Sequence, residues 1–292
     1  MADRAGGFFP PQSMMRRMGQ EALGLLGGGR AVLLQLAHPL VAAGVAQHSN
    51  FQSDPLERLL HTLELMHTLV FEPLEEAEQA LRRFHAVHAR IKGRLRRAAG
   101  RFSAGTPYRG DDPELKLWVA ATLIDTSLLA YERFVRPLSP RERQEYYQDA
   151  LRMGRLLAVP DDIMPPGLGD FRHYMAEMLA GDTLVVDGTA RRLADDVLWP
   201  EEVGIVPAAC AHLLRFTTAG LLPRRFRDAY GLTWRPTDRW KLNRLARATR
   251  FLRPIVPVWV WQSPQLDGHL ARLLLWGMTG RGAGEGPRSE SG

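Results

Sequence analysis

The sequence predicts an all-α protein built as a single multi-helix domain, and three observations carry that reading. Apolar residues recur at the spacing of one helix face through most of the chain. Ser, Asp and Pro stand at the starts of several of these runs, with Gly at some of their ends. Convincing two-residue alternation is absent apart from short ambiguous runs such as "TLVVDG" (183–188).

Taken in order, residues 1–19 read as a flexible N-terminal segment and residues 20–279 as the helical domain. Residues 30–49 have a long apolar face interrupted at His38-Pro39, where a proline kinks or restarts a helix. Asp54-Pro55 opens a second helix that reaches about Phe71. Pro73 suits the first turn of a third, which Gly93 stops. Residues 96–113, rich in Gly, Ser, Pro and Asp, read as a loop. Residues 114–135 are long, amphipathic and more apolar than their neighbours, as befits a central buried helix. Ser139 as cap and Pro140 at the first helical position start the helix of residues 138–159, and 160–170 is a turn-rich connector. Further helices are expected at 170–181, 189–198, 200–219, 223–230 and 236–250. The tail, 280–292, has nothing to bury and reads as disordered.

Composition narrows the function. With 45% hydrophobic and 24% charged residues among 292, the chain can bury a sizeable core. The net charge of +6 comes almost wholly from arginine, since Lys92, Lys116 and Lys241 are the only lysines. These arginines are scattered along helices with no recognisable nucleic-acid motif, so no nucleic-acid partner is expected. Cys210 is the sole cysteine, which rules out an intramolecular disulfide and thiolate metal clusters. No stretch approaches the roughly 18 to 20 apolar residues of a spanning helix. The runs at 255–261 and 270–278 are long enough only for peripheral membrane contact. The expectation is a cytoplasmic protein without a transmembrane span.

Several chemistries drop out. "LLGGGRAV" lacks the Lys-Ser/Thr of a phosphate loop, and neither G-x-S-x-G nor H-E-x-x-H occurs. The histidines are more informative: His38, His48, His61, His67, His85 and His88 fall within residues 38–88. In "DPLERLLHT" (54–62), Arg58, His61 and Thr62 follow at i, i+3 and i+4, stacking a cation, an imidazole and a hydroxyl on one side of a helix. Three readings of these histidines stand open. They are hydrogen-bonded core and surface residues, ligands of a non-haem metal with Glu64 as a carboxylate, or one haem ligand facing polar groups on another helix. For the last, Phe84, Val87 and Ile91 give His88 apolar surroundings, while Arg58 and Thr62 are donors.

A resemblance bears on the choice. "GGGRAVLLQLAHPLVAAGVAQHSNFQSDPLERLLHT" (27–62) resembles the opening signature of the latex-clearing-protein and MpaB-type oxygenase superfamily. That signature has an H-P pair, then V-x-x-H-S-x-F, then D-P-x-x-R-x-x-x-T. "VHARIKG" (87–93) resembles its H-x-x-V-x-G segment, and "YRGDDPELKLWV" (108–119) its Y-x-A-x-D-P-x-x-x-x-W-V helix. Residues 138–160 and 221–232 also fit, so the likeness runs from about 20 to 270.

The resemblance implies a helical fold holding haem b, and an oxygenase that uses dioxygen to cleave an isoprenoid carbon–carbon double bond. By motif position it implies His88 as the iron ligand and Arg58 and Thr62 as distal polar residues. His48 is implied as a residue that holds the Arg58 helix or contacts haem. The latex-clearing branch carries lysine where this chain has His61, which closes the iron as a second imidazole ligand or serves as a distal base. Many relatives have histidine after W-V, where this chain has Ala120. Apolar segments at 30–46 and 117–130 are expected to line a pocket for a hydrophobic small-molecule substrate. The alternatives are a sensory bis-histidine haem protein and a cofactor-free helical interaction module.

Overall fold

Asp112 starts the 22-residue helix at the centre of the molecule: its carboxylate accepts from the backbone N–H groups of Glu114 and Leu115, and Pro113 follows in the first turn. The computed structural model describes residues 7–48, 55–198 and 208–255, leaving aside the side chains of 55–60 and 208–210. Within them, this central helix is α6 (Pro113–Phe134), and it buries Trp118, Ala121, Ile124, Ala130 and Phe134. Two three-residue strands are the exception to an otherwise all-α architecture.

Around α6 the chain folds as read, with local shifts. α2 (Gly28–Leu36) and α3 (Pro39–His48) are separated at His38-Pro39, and the two directions differ by 100°. The Gly27–Gly29 run, no phosphate loop, serves close helix crossings. A Cβ on Gly27 would lie 2.7 Å from the Thr126 methyl of α6, and one on Gly29 would lie 2.0 Å from Thr218 Oγ1. Thr218 belongs to α10 (Ala208–Leu221). α2 also carries a buried cation: Arg30 Nε donates to the Leu221 carbonyl, and its two terminal nitrogens donate to Thr126 Oγ1 and Asp125 Oδ2.

α4 (Pro55–Phe71) matches the expected span, and α5 (Leu74–Arg90) packs against it after a two-residue turn. Pro73 precedes α5 rather than entering its first turn. Past α5, β1 (Lys92–Arg94) pairs antiparallel with β2 (Pro107–Arg109), so the expected loop of 96–113 contains a strand. α7 (Pro140–Leu156) has the full capping box: Ser139 Oγ accepts from the Glu142 N–H, and the Glu142 carboxylate accepts from the Ser139 N–H. α8 (Leu168–Ala180), α9 (Gly188–Leu198), α11 (Arg224–Ala229) and α12 (Pro236–Leu252) complete the frame.

The N-terminal segment differs from expectation where it is described. Residues 14–19 form α1 (Met14–Gly19), Phe9 is fully buried, and Met14, Met15 and Met18 enter the core. Long-range bonds hold it: the Met15 N–H donates to Asp149 Oδ2, and Arg16 donates to the Val70 and Phe71 carbonyls at the end of α4. The expected disordered tail (280–292) and the apolar run at 270–278 lie outside the described residues, as does 255–261 beyond Ile255. Among the described residues no single helix is long and apolar enough to cross a membrane.

Candidate functional site

The antiparallel pair α4–α5 fixes which of the candidate residues stand level with one another. Arg58 lies 13 residues before the end of α4 and His88 lies 14 residues after the start of α5. At 1.5 Å rise per residue, both sit roughly 20 Å from the connecting turn. His61 and Thr62 lie one turn closer, level with Phe84. The Arg58 side chain lies outside the described residues; His61 is exposed and Thr62 half-buried.

His88 is half-buried, and its Nδ1 is 2.9 Å from the carbonyl oxygen of Phe84. A carbonyl only accepts, so Nδ1 carries a proton and donates in this hydrogen bond. Metal-ligating imidazoles are commonly oriented by such a bond from the second ring nitrogen to a backbone carbonyl. The Phe84 ring lies beside the imidazole, with centroids 4.0 Å apart, and Val87 presents 56% of its surface to solvent. An imidazole whose Nδ1 is held by a backbone carbonyl and whose ring lies against the Phe84 ring fits the axial-ligand role toward a haem. His85 has a different role. Its Nε2 donates to the carbonyl of Leu156, an end-of-helix acceptor of α7, at 3.0 Å, and so ties α5 to α7. Among the described residues no three His, Cys, Asp or Glu side chains converge. A non-haem centre with Glu64 as a ligand therefore gains no support from them.

His48 is exposed at the end of α3 and meets the Tyr108 ring edge-on at 6.0 Å. Tyr108, on β2, pairs with Gly93 on β1, five residues after His88. His48 thus stands beside the hairpin that leaves α5. Gly110 closes this corner: a Cβ there would lie 2.7 Å from the His88 carbonyl oxygen. Tyr108 is buried, with its hydroxyl unpartnered, and no sequence signal marks it as such. Ala120 is buried in α6, so the missing imidazole leaves a methyl group in the core.

Each of the two apolar segments contributes to one cavity. His38 from the first, and Leu117 and Trp118 from the second, line a cavity of 270 Å³. Tyr174, Met178 and Thr183 line it too, and the exposed Arg101 and Glu114 stand at its edge. His38 is 5% exposed, its Nδ1 has no hydrogen-bond partner, and Phe102 lies 5.3 Å from its ring. Burial, reinforced by the Arg101 guanidinium and opposed by Asp112, lowers its pKa to about 4. Trp118 also packs the core, with its Nε1–H donating to the Leu34 carbonyl.

Comparison with known proteins agrees with this frame. The chain is 26% identical over 257 residues to the uncharacterized proteins Mb2261 of Mycobacterium bovis and Rv2237 of Mycobacterium tuberculosis. Each match spans 85% of this chain and 93% of the relative. No solved structure matches it significantly. The family model described as "ER-bound oxygenase mpaB/B'/Rubber oxygenase, catalytic domain" matches residues 15–251, from α1 to the last turn of α12. That span takes in every candidate side chain described above, and the chain belongs to this oxygenase catalytic-domain family.

Proposed function

We propose that the protein is a haem b-dependent oxygenase acting with dioxygen on a hydrophobic substrate, with an isoprenoid as the class to try first. The observation that carries this reading is the hydrogen bond from His88 Nδ1 to the Phe84 carbonyl, which holds the imidazole as metal-ligating histidines are commonly held. Haem would supply the dioxygen chemistry. The protein's own part is to hold the His88 ring through Nδ1, to set Arg58 and Thr62 on the facing helix as donors, and to use His48 at the hairpin to support that corner. His61 stands at the distal side, one turn from Arg58.

An absorption spectrum after haemin is added to the purified protein tests the proposal. A Soret band in the wild type that is lost in His88→Ala and kept in His85→Ala supports it. An unchanged band in His88→Ala removes His88 as ligand, and no band in the wild type removes haem altogether. Dioxygen uptake with squalene as probe, with carbonyl products sought by mass spectrometry, then tests the reaction.

The exposed imidazole of His61 carries a second reading, a closed bis-histidine haem protein that senses rather than catalyses. Carbon monoxide binding separates the two. Slow binding in the wild type that becomes fast in His61→Ala favours the closed form, and fast binding in both favours the oxygenase.

A further inference from the structure

The lining of the His38 cavity selects a kind of ligand. Its walls divide by chemistry. Leu117 and Trp118 of α6 are apolar and buried, at 5% and 1% exposure, while the charged Arg101 and Glu114 are exposed and hydrated at the edge. The two edge charges are of opposite sign, so the edge as a whole favours neither anion nor cation. Inside, the polar groups are the His38 imidazole and the Thr183 hydroxyl, both buried, with half-buried Tyr174 nearby.

The state of His38 follows from what it lacks. Nδ1 is shut from solvent with no partner. An unpaired lone pair is tolerated in a protein interior better than an unpaired N–H. The proton therefore belongs on Nε2, and the neutral ring acts as a hydrogen-bond donor. The volume of 270 Å³ lies just below the range of drug-sized sites, roughly 300 to 1,000 Å³, and so suits a smaller molecule.

We infer that this cavity binds a small, uncharged molecule bearing a carbonyl oxygen, with the His38 imidazole as donor and Leu117 and Trp118 as apolar walls. A carboxylate is disfavoured, because it would carry a charge onto a floor of apolar side chains and a neutral ring. The inference is independent of haem at His88, and a protein without a Soret band leaves it standing.

Three ring compounds of similar size test it: cyclohexanone, cyclohexane and cyclohexanecarboxylate. Each is titrated into the full chain while the Trp118 indole N–H is followed by NMR, with the signal assigned through Trp118→Phe. The expected result is saturable binding of cyclohexanone at least about fivefold tighter than cyclohexane, the worth of one net hydrogen bond, and weaker binding still of the carboxylate. His38→Phe should remove the advantage of the ketone over cyclohexane. Met178→Trp, which fills the cavity from α8, should abolish binding of both and keeps the test open if His38→Phe does not fold. The inference is overturned if no probe saturates, if the carboxylate binds tightest, or if a folded His38→Phe retains the preference for ketone.

Discussion

His88 gives its Nδ1 proton to the carbonyl oxygen of Phe84, 2.9 Å away and one turn back on the same helix. Its neighbour His85 makes the opposite choice and spends Nε2 on Leu156. Two histidines three residues apart are therefore held through different nitrogens, and of the two it is His88 that is held through Nδ1. Exogenous imidazole should restore the Soret band to haemin-loaded His88→Gly, because the lesion is a missing ligand. It should do nothing for His85→Ala, whose effect is on the α5–α7 joint, seen as a loss of about 1 kcal/mol in urea unfolding. If imidazole fails to rescue a folded His88→Gly, axial ligation by His88 is refuted.

Gly110 sits beneath the end of α5, where a Cβ would come within 2.7 Å of the His88 carbonyl oxygen and 2.8 Å of the Ile91 Cβ. Both neighbours are held: the Gly110 N–H donates to the Ile91 carbonyl at 2.8 Å, and Ile91 packs on the small core around Tyr108. Gly110→Ala should therefore cost about 1–3 kcal/mol, as overpacking does, and broaden the amide signals of residues 88–93. Equal stability with unshifted signals would show that the corner yields freely.

Much of this frame could be read from the chain because local signals and tertiary outcome agree. Ser139, Pro140 and Glu142 specify their own helix start, and Pro55 and Phe71 bound α4 as its apolar period implied. The N-terminal segment was illegible for the converse reason. Gly-Pro-Met composition looks flexible, and its order comes from partners such as Asp149, 134 residues away. The strands are three residues each, too short for any alternation to show. At the candidate site, the residues Arg58, His61, Thr62 and His88 could be named from motif order. The hydrogen bond of His88 Nδ1 and the orphaned nitrogen of His38 could not, since each depends on which atom a folded neighbour presents.

Arg30 and Asp125 form an ion pair at 2.6 Å with side-chain exposures of 4% and 30%. The arginine also donates to Leu221 and Thr126, so one guanidinium joins α2, α6 and α10. Removing the carboxylate leaves that cation buried with neutral partners. Asp125→Asn should cost about 3 kcal/mol, at the low end for broken buried pairs because Asp125 keeps some solvent. Arg30→Met should cost less than the sum of separate losses, and a double-mutant cycle measures the coupling. A cost below about 0.5 kcal/mol for Asp125→Asn would place the pair with ordinary surface bridges.

Ala158 follows the last turn of α7 with φ of +57°, the left-handed conformation that favours glycine. Its N–H donates to the Arg155 carbonyl and the Val159 N–H to the Gly154 carbonyl, which together close the helix in a Schellman arrangement. An L side chain there costs about 1–2 kcal/mol, partly offset by the smaller entropy that alanine loses on folding. Ala158→Gly should raise stability by about 0.5–1 kcal/mol in chemical denaturation. A net loss would mean that the alanine methyl makes contacts worth more than the strain.

His38 makes stability depend on pH in a defined window. Its pKa is about 4 when folded against 6.5 for a free imidazole, so between these values the unfolded chain binds the proton and the folded chain does not. Stability is therefore complete above about pH 6.5 and falls as the pH drops, with the loss complete near pH 4. The shift corresponds to about 3 kcal/mol over that window at 1.36 kcal/mol per pKa unit. Glu142, held near 2 by Arg136 and the Ser139 N–H, loses its contribution at lower pH, between about 4.5 and 2. Urea unfolding of wild type and His38→Phe at pH 7.5, 6, 5 and 4.5 isolates the imidazole: the difference between the two should shrink or invert as the pH falls. Parallel pH profiles would show that His38 takes up its proton in the folded protein at an ordinary pKa.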